Sequence, residues 1–263
     1  MRIHREKTMK LLLATVVLRP YVFVFFAAFL LAGRADLGWR RTLLFGAWVW
    51  PLAWLAEFAS TRIGVPFGLY HYTGTTAGQE AYVANVPLMD SLSFTFLAYA
   101  AFCLARVVLT GRAVSRVTLA MVSGLVMMLL DVVIDPLAVR GDRWFLGHIF
   151  YYPEGGAYFG VPLTNFGGWW IVGALSVGGC LWNWSDATAR WGRRAWPGVA
   201  LYYGVLAFNL VMTVWIGEWR LAAMGLAVHF VLAVTAVCAI RAAALPQSTR
   251  REVSGRAVSA PSD

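Results

Sequence analysis

Charge is scarce in this chain. Only 13% of its 263 residues are charged, against roughly 25% in a soluble globular domain. That deficit, with 60% hydrophobic residues, excludes the ordinary soluble class and places the chain in a bilayer. Cysteine is also rare. Cys103, Cys180 and Cys238 lie inside apolar runs at no metal-like spacing, so they read as small packing residues, and no metal site is expected. No GxGxxG follows a strand and no nucleophile elbow occurs, so no cofactor is expected either. The formal charge of +9 would suit nucleic acid. The arginines, however, fall in short stretches between apolar runs, as topology signals do, and a nucleic-acid partner is set aside.

What is present fits a membrane. Thirteen tryptophans and sixteen phenylalanines supply material for interfacial belts. With about 20 apolar residues per crossing, seven spans are expected near residues 11–33, 43–63, 86–108, 117–138, 164–184, 198–217 and 220–242. The fold class is therefore an all-α polytopic membrane protein. Residues 1–245 read as a single transmembrane domain, and 246–263 as a polar, disordered tail.

Basic residues orient it in the cell membrane. Arg34, Arg40 and Arg41, then Arg106, Arg112 and Arg116, then Arg190, Arg193 and Arg194, then Arg241, Arg250, Arg251 and Arg256 share one side. The other side holds Arg62, Arg140, Arg143 and Arg220. The first side is expected to be cytoplasmic, with the C-terminus inside. The basic start MRIHREKTMK conflicts with this, because seven spans put it outside. Either translation begins at Met9, or the first segment is broken at Arg19-Pro20 and does not fully cross.

Two outer loops, 64–85 and 140–163, are long and rich in glycine, proline and tyrosine (GVPFGLYHYTG, FYYPEGGAYFGVP). Such loops are expected to fold over the mouth of the bundle. Each is followed by a related run, VPLMD at 86–90 and VPLTN at 161–165. Glu57 precedes Asp90 by 33 positions and Asp131 precedes Asn165 by 34. The two units would run in the same direction, as a parallel internal repeat.

The run MMLLDVVIDPLAV carries Asp131 and Asp135 four residues apart, on one helix face. An acid at a bilayer centre costs about 2.5–3.5 kcal/mol and is usually functional. Glu57, Asp131, Asp135, Asp90 and Asn165 all fall at the outer ends of their spans, with His71 and Tyr72 in the loop above, so they are expected at one membrane level. Each has a plainer reading beside it. The aspartates could bond a neighbouring arginine or backbone groups and hold helices together, and Glu57 could pair with Arg62. Asp90 could serve the N-terminus of its helix, Asn165 could be a cap with Thr164, and His71 could be an ordinary loop residue. Trp169 and Trp170 sit where belt tryptophans belong, though they could face a cationic intermediate. His229, mid-span without an acidic neighbour, reads as a packing contact, and Glu154 as solvated.

Burial disfavours the charged form of a carboxyl group, so one acid of such a cluster is expected to keep its proton near neutral pH. A protonated acid facing an apolar cavity is a suitable general acid, and its apolar substrate would be an alkene.

The segments EFASTRIGVPFGLYHYTG, VPLMDSLSF and DVVIDPLAVRGDRWFLGHIFYYPEGGAYFGVPLTNFGGWW resemble the membrane-integral carotenoid 1,2-hydratases, the family that includes bisanhydrobacterioruberin hydratase and the gamma-carotene 1′,2′-hydratases. The resemblance covers roughly residues 45 to 240, and its most specific part is D-x-x-x-D-P with GVPxxNFxGW. It implies cofactor-independent addition of water across the terminal 1,2 (or 1′,2′) double bond of an acyclic carotenoid: lycopene, gamma-carotene or a fifty-carbon relative. Asp131 or Asp135 would protonate the alkene, and Glu57 or Asp90, with His71, Tyr72 and Asn165, would guide water to the tertiary cation. A membrane cyclase trapping the same cation, a prenyltransferase and a proton-coupled transporter are the competing expectations. The prenyltransferase lacks a second acidic motif and phosphate-binding bases. A transporter site would sit nearer the midplane.

Overall fold

A computed structural model describes residues 2–182, 184 and 193–244; the tail 246–263, Met1 and Arg190 lie outside the described residues. Among the described residues eight α-helices dominate: α1 (Arg2–Leu18), α2 (Pro20–Leu37), α3 (Trp39–Ile63), α4 (Leu88–Val108), α5 (Arg116–Ala138), α6 (Leu163–Trp182), α7 (Trp196–Trp215) and α8 (Trp219–Ala244). Four two-residue strands lie in the long loops: β1 (His71–Tyr72), β2 (Tyr82–Val83), β3 (Val86–Pro87) and β4 (Phe150–Tyr151). Six of the helices are long and apolar enough to cross a membrane. The seventh expected span is α6, 20 residues long, whose Asn165, glycines and tryptophans dilute its apolar character while it packs along α5. The chain is thus a multi-pass, all-α membrane protein.

The first expected span is divided. Arg19 leaves the helical region, at φ −124° and ψ 51°, and Pro20 restarts the helix at its first position, where a missing amide costs nothing. The crossing is α2, and α1 is a separate helix before it. Arg19 explains the break. Fully buried, it donates through Nε and Nη2 to Glu80 (3.2 and 2.9 Å) and through Nη1 to the Leu146 carbonyl (2.7 Å). One arginine thereby ties the α1–α2 joint to both long loops.

The buried interior centres on α4, with 83% of its most apolar window buried against 22% for α2. The closest helix contact is α5 on α6, made possible by small residues, as membrane helices require. A Cβ on Gly173 would lie 2.9 Å from the Gly124 Cα, so neither glycine can be enlarged without separating the helices. Trp39, Trp182 and Trp196 at one end of the bundle, and Trp215 and Trp219 at the other, are exposed as interfacial belts are.

The two long loops meet at the same end. β1 pairs antiparallel with β4, His71 opposite Tyr151 and Tyr72 opposite Phe150. Each loop closes with the same turn: Val83 bridges Val86, and Tyr158 bridges Val161. Within each turn one non-glycine residue has positive φ, Ala84 at 58° and Phe159 at 49°. Such backbone is uncommon for non-glycine residues. Its recurrence two positions before each Val-Pro-Leu gives the internal repeat a backbone counterpart. Arg140 fixes the second turn, donating through Nη1 to the carbonyls of Pro136 and Phe159 (both 2.7 Å).

Candidate active site

Under the paired loops lies a cavity of about 900 Å³, its open mouth included. Its walls are mostly aromatic and aliphatic. Five of the expected polar residues line it directly: Glu57 from α3, Tyr72 from β1, Asp90 from α4, Asp135 from α5 and Asn165 from α6. Asp131, one turn before Asp135, is fully buried behind it.

Asn165 organises the pair. Its Nδ2 donates to Asp131 Oδ2 at 2.6 Å and to Asp135 Oδ2 at 2.8 Å, using both of its hydrogens. Trp169 Nε1, one helical turn further along α6, donates to the same Asp135 oxygen at 3.1 Å. Asp131 Oδ1 in turn accepts the Asp135 backbone amide at 3.2 Å. Every one of these donors is neutral. Among the described residues, no salt bridge reaches either aspartate. The arginine-pairing alternative therefore fails for both.

Across the cavity, Asp90 accepts a 2.6 Å hydrogen bond from the Tyr72 hydroxyl, and Tyr72 lies 3.4 Å from the Tyr70 hydroxyl. Burial, reinforced by the nearby carboxylates, pushes the phenols of Tyr70, Tyr72 and Tyr152 well above their ordinary pKa, so all three stay protonated. Glu57 does not pair with Arg62. That guanidinium stacks on Phe58 and donates to Asn85 at 2.8 Å, leaving Glu57 facing the cavity. Two acceptors are orphaned there: Glu57 Oε2 and Asn165 Oδ1 are buried without a hydrogen-bond partner among the described residues. A buried acceptor left unpaired costs about 1–3 kcal/mol.

A match to the family described as "Carotenoid biosynthesis protein" spans residues 7–232. The chain belongs to this family. Bisanhydrobacterioruberin hydratase of Haloarcula japonica is 31% identical to it over 163 residues, covering 60% of this chain and 52% of that protein. The aligned part is thus about half the length of that relative. No solved structure matches.

Two expected site residues fall elsewhere in this carotenoid-biosynthesis protein. The β1 backbone alternates, sending Tyr70 and Tyr72 into the cavity and His71 to the opposite face, where its ring meets Tyr151 at 6.0 Å. Trp170 points away from Trp169 and donates to the Met121 carbonyl at 2.9 Å on the exposed side of α6. His229 is the packing contact it was read as, its ring nitrogens bonded to Tyr202 and the Gly225 carbonyl. Most of the wall carries no signal in the sequence: Tyr21 and Phe25 on α2, Phe94 on α4, Tyr152 in the second loop, Phe208 and Asn209 on α7. Phe94 stacks on Trp169 with centroids 4.6 Å apart. In a chain with so many aromatics, no spacing separated these from ordinary core residues.

Proposed function

We propose that this chain hydrates the terminal 1,2 (1′,2′) double bond of an acyclic carotenoid, acting without a cofactor as a hydro-lyase. The observation that carries the reading is the Asp131–Asp135 pair, held, among the described residues, by neutral donors against an aromatic cavity. An acid that served only to join helices would be matched by a cation. One that must give up a proton needs an apolar face and no arginine.

One carboxyl of the pair, carrying its proton, delivers it to the CH carbon of the terminal alkene. The π electrons form the new C–H bond, and a tertiary cation remains on the carbon bearing two methyls. The aromatic wall formed by Trp169 and Phe94 stabilises that cation by its π electrons. The orphaned acceptors Glu57 Oε2 and Asn165 Oδ1 suit a water, taking its two hydrogens and leaving a lone pair for the cation. Glu57 or Asp90 then accepts the proton that water sheds on forming the C–O bond. The proton count closes when the pair is reprotonated. The product is a tertiary alcohol.

A proton-coupled transporter is supported less, because the acids gather under the loops rather than near the middle of the bundle. The same proposal places residues 1–245 in the cell membrane as one domain, with the arginine-rich helix ends and the C-terminus cytoplasmic. Lycopene, gamma-carotene and a fifty-carbon relative are the candidate substrates, taken directly from the bilayer.

Expression in a lycopene-producing bacterial host, with the pigments separated and weighed by mass spectrometry, tests the reaction. The expected product is lycopene plus one or two waters. A pigment of unchanged mass with cyclic end groups would mean cyclase. Unaltered lycopene, with the protein in the membrane, would exclude lycopene and turn the test to gamma-carotene and a fifty-carbon relative.

A further inference from the structure

The cavity is short along the bundle axis. On α4 its lining runs from Met89 to Leu97, about 12 Å at 1.5 Å per residue, whereas the hydrocarbon core of a bilayer is about 30 Å thick. Tyr70, Tyr72, Ile149 and Phe150 close it above. A forty-carbon polyene is far longer than this depth, so only its end group fits inside and the rest must leave through a side wall.

The walls differ in how they meet the outside. Phe67, Phe94, Tyr152 and Trp169 are buried. Tyr21 and Phe25 on α2, Phe208 on α7 and Trp144 in the second loop are only half-buried, although all four line the cavity. Their rings form a continuous series. Buried Phe96 lies 5.7 Å from Phe25, Phe25 5.8 Å edge-on to Phe208, and Phe208 stacks on Tyr21 at 5.0 Å. Tyr21 then meets Phe145 at 5.7 Å, and Phe145 is 49% exposed. The series runs from the cavity to the outer surface of the protein.

We propose that the seam between α2 and α7 is a lateral portal through which a linear conjugated polyene threads from the bilayer, its end group at the aspartates and its chain against Tyr21, Phe25 and Phe208. The proposal rests on the hydratase reading for the identity of the ligand. Stacked aromatic faces suit a flat conjugated chain, since both present π surface and neither demands a hydrogen bond. A saturated lipid chain would lack that match.

Photo-cross-linking in the intact protein tests it. The photoreactive residue p-benzoyl-phenylalanine replaces Phe208 or, as control, Phe230, which is 70% exposed on α8 and outside the cavity lining. Membranes containing lycopene should give a pigment adduct at position 208 and not at 230. Equal adducts at both positions, or lipid adducts alone at 208, would overturn the portal. As a second measurement, Phe208→Trp should raise KM for lycopene about tenfold more than for a ten-carbon acyclic alkene with the same end group. Equal changes for the two would count against it. If the protein carrying p-benzoyl-phenylalanine at 208 forms the pigment adduct but wild-type protein hydrates neither compound, the portal stands and the hydratase reading falls.

Discussion

Buried acid occurs at both ends of this bundle, and the two ends treat it differently. At the end away from the loops, Asp36 on α2 faces Arg106 on α4. The guanidinium forks onto both carboxylate oxygens, with Nη1 to Oδ1 at 3.2 Å, and the Tyr99 hydroxyl adds a 3.3 Å bond. The charge is cancelled in place, no part of the pair lines the cavity, and two helices are clasped. At the loop end, Asp131 and Asp135 have an amide and an indole for partners, and Asp135 faces the cavity. A matched acid holds structure together; an acid left with neutral donors beside an apolar space retains chemistry to perform.

Four variants break or sharpen that contrast. Asp131→Asn with Asp135→Asn removes the acid and keeps the shape, and it should lower hydration about 10²–10⁴-fold, the usual contribution of general acid catalysis. Pigment analysis per quantity of folded protein reads this. Asp36→Ala leaves Arg106 buried without its partner and should destabilise the protein by about 3–5 kcal/mol. Its remaining folded fraction should keep its specific activity, measured by unfolding in detergent alongside turnover. Glu57→Gln should cost about tenfold in hydrated product, equivalent to about 1.4 kcal/mol, and raise the share of unhydrated alkene isomers in chromatograms. His71→Ala, on the far side of β1, should change turnover by less than about twofold, as substitutions outside a site do.

Much of the site was legible because membrane chains use acids sparingly. Two aspartates at helical spacing in an apolar run stood out, and the Val-Pro-Leu repeat led from them to Asn165. The same repeat placed Asp90 and Glu57 at matching positions in the first unit, and so at the same depth. The placement of His71 was not legible, because its side of the chain is set by a two-residue strand that pairs with a segment about eighty positions away. Arg19 and Glu80 are 61 residues apart, one at a helix break and one in a loop, and only the folded loops bring them together. Arg106 was read as a topology signal; its pairing with Asp36 spans 70 positions and leaves no local pattern. The division of the first span was announced by Arg19-Pro20, whereas the position of α1 depended on partners that sequence spacing does not reveal.

The most direct test of the unpaired acids is isotopic. Membranes holding the wild-type protein and lycopene are incubated in D2O enriched in H2¹⁸O, and the hydrated pigment is analysed by mass spectrometry and NMR. The account predicts one ¹⁸O in the tertiary alcohol and one deuterium on the adjacent carbon for each hydrated end, with both labels lost when Asp131 and Asp135 are asparagine. Alcohol oxygen that does not come from water, or unchanged deuterium transfer to carbon in the double variant, would contradict it.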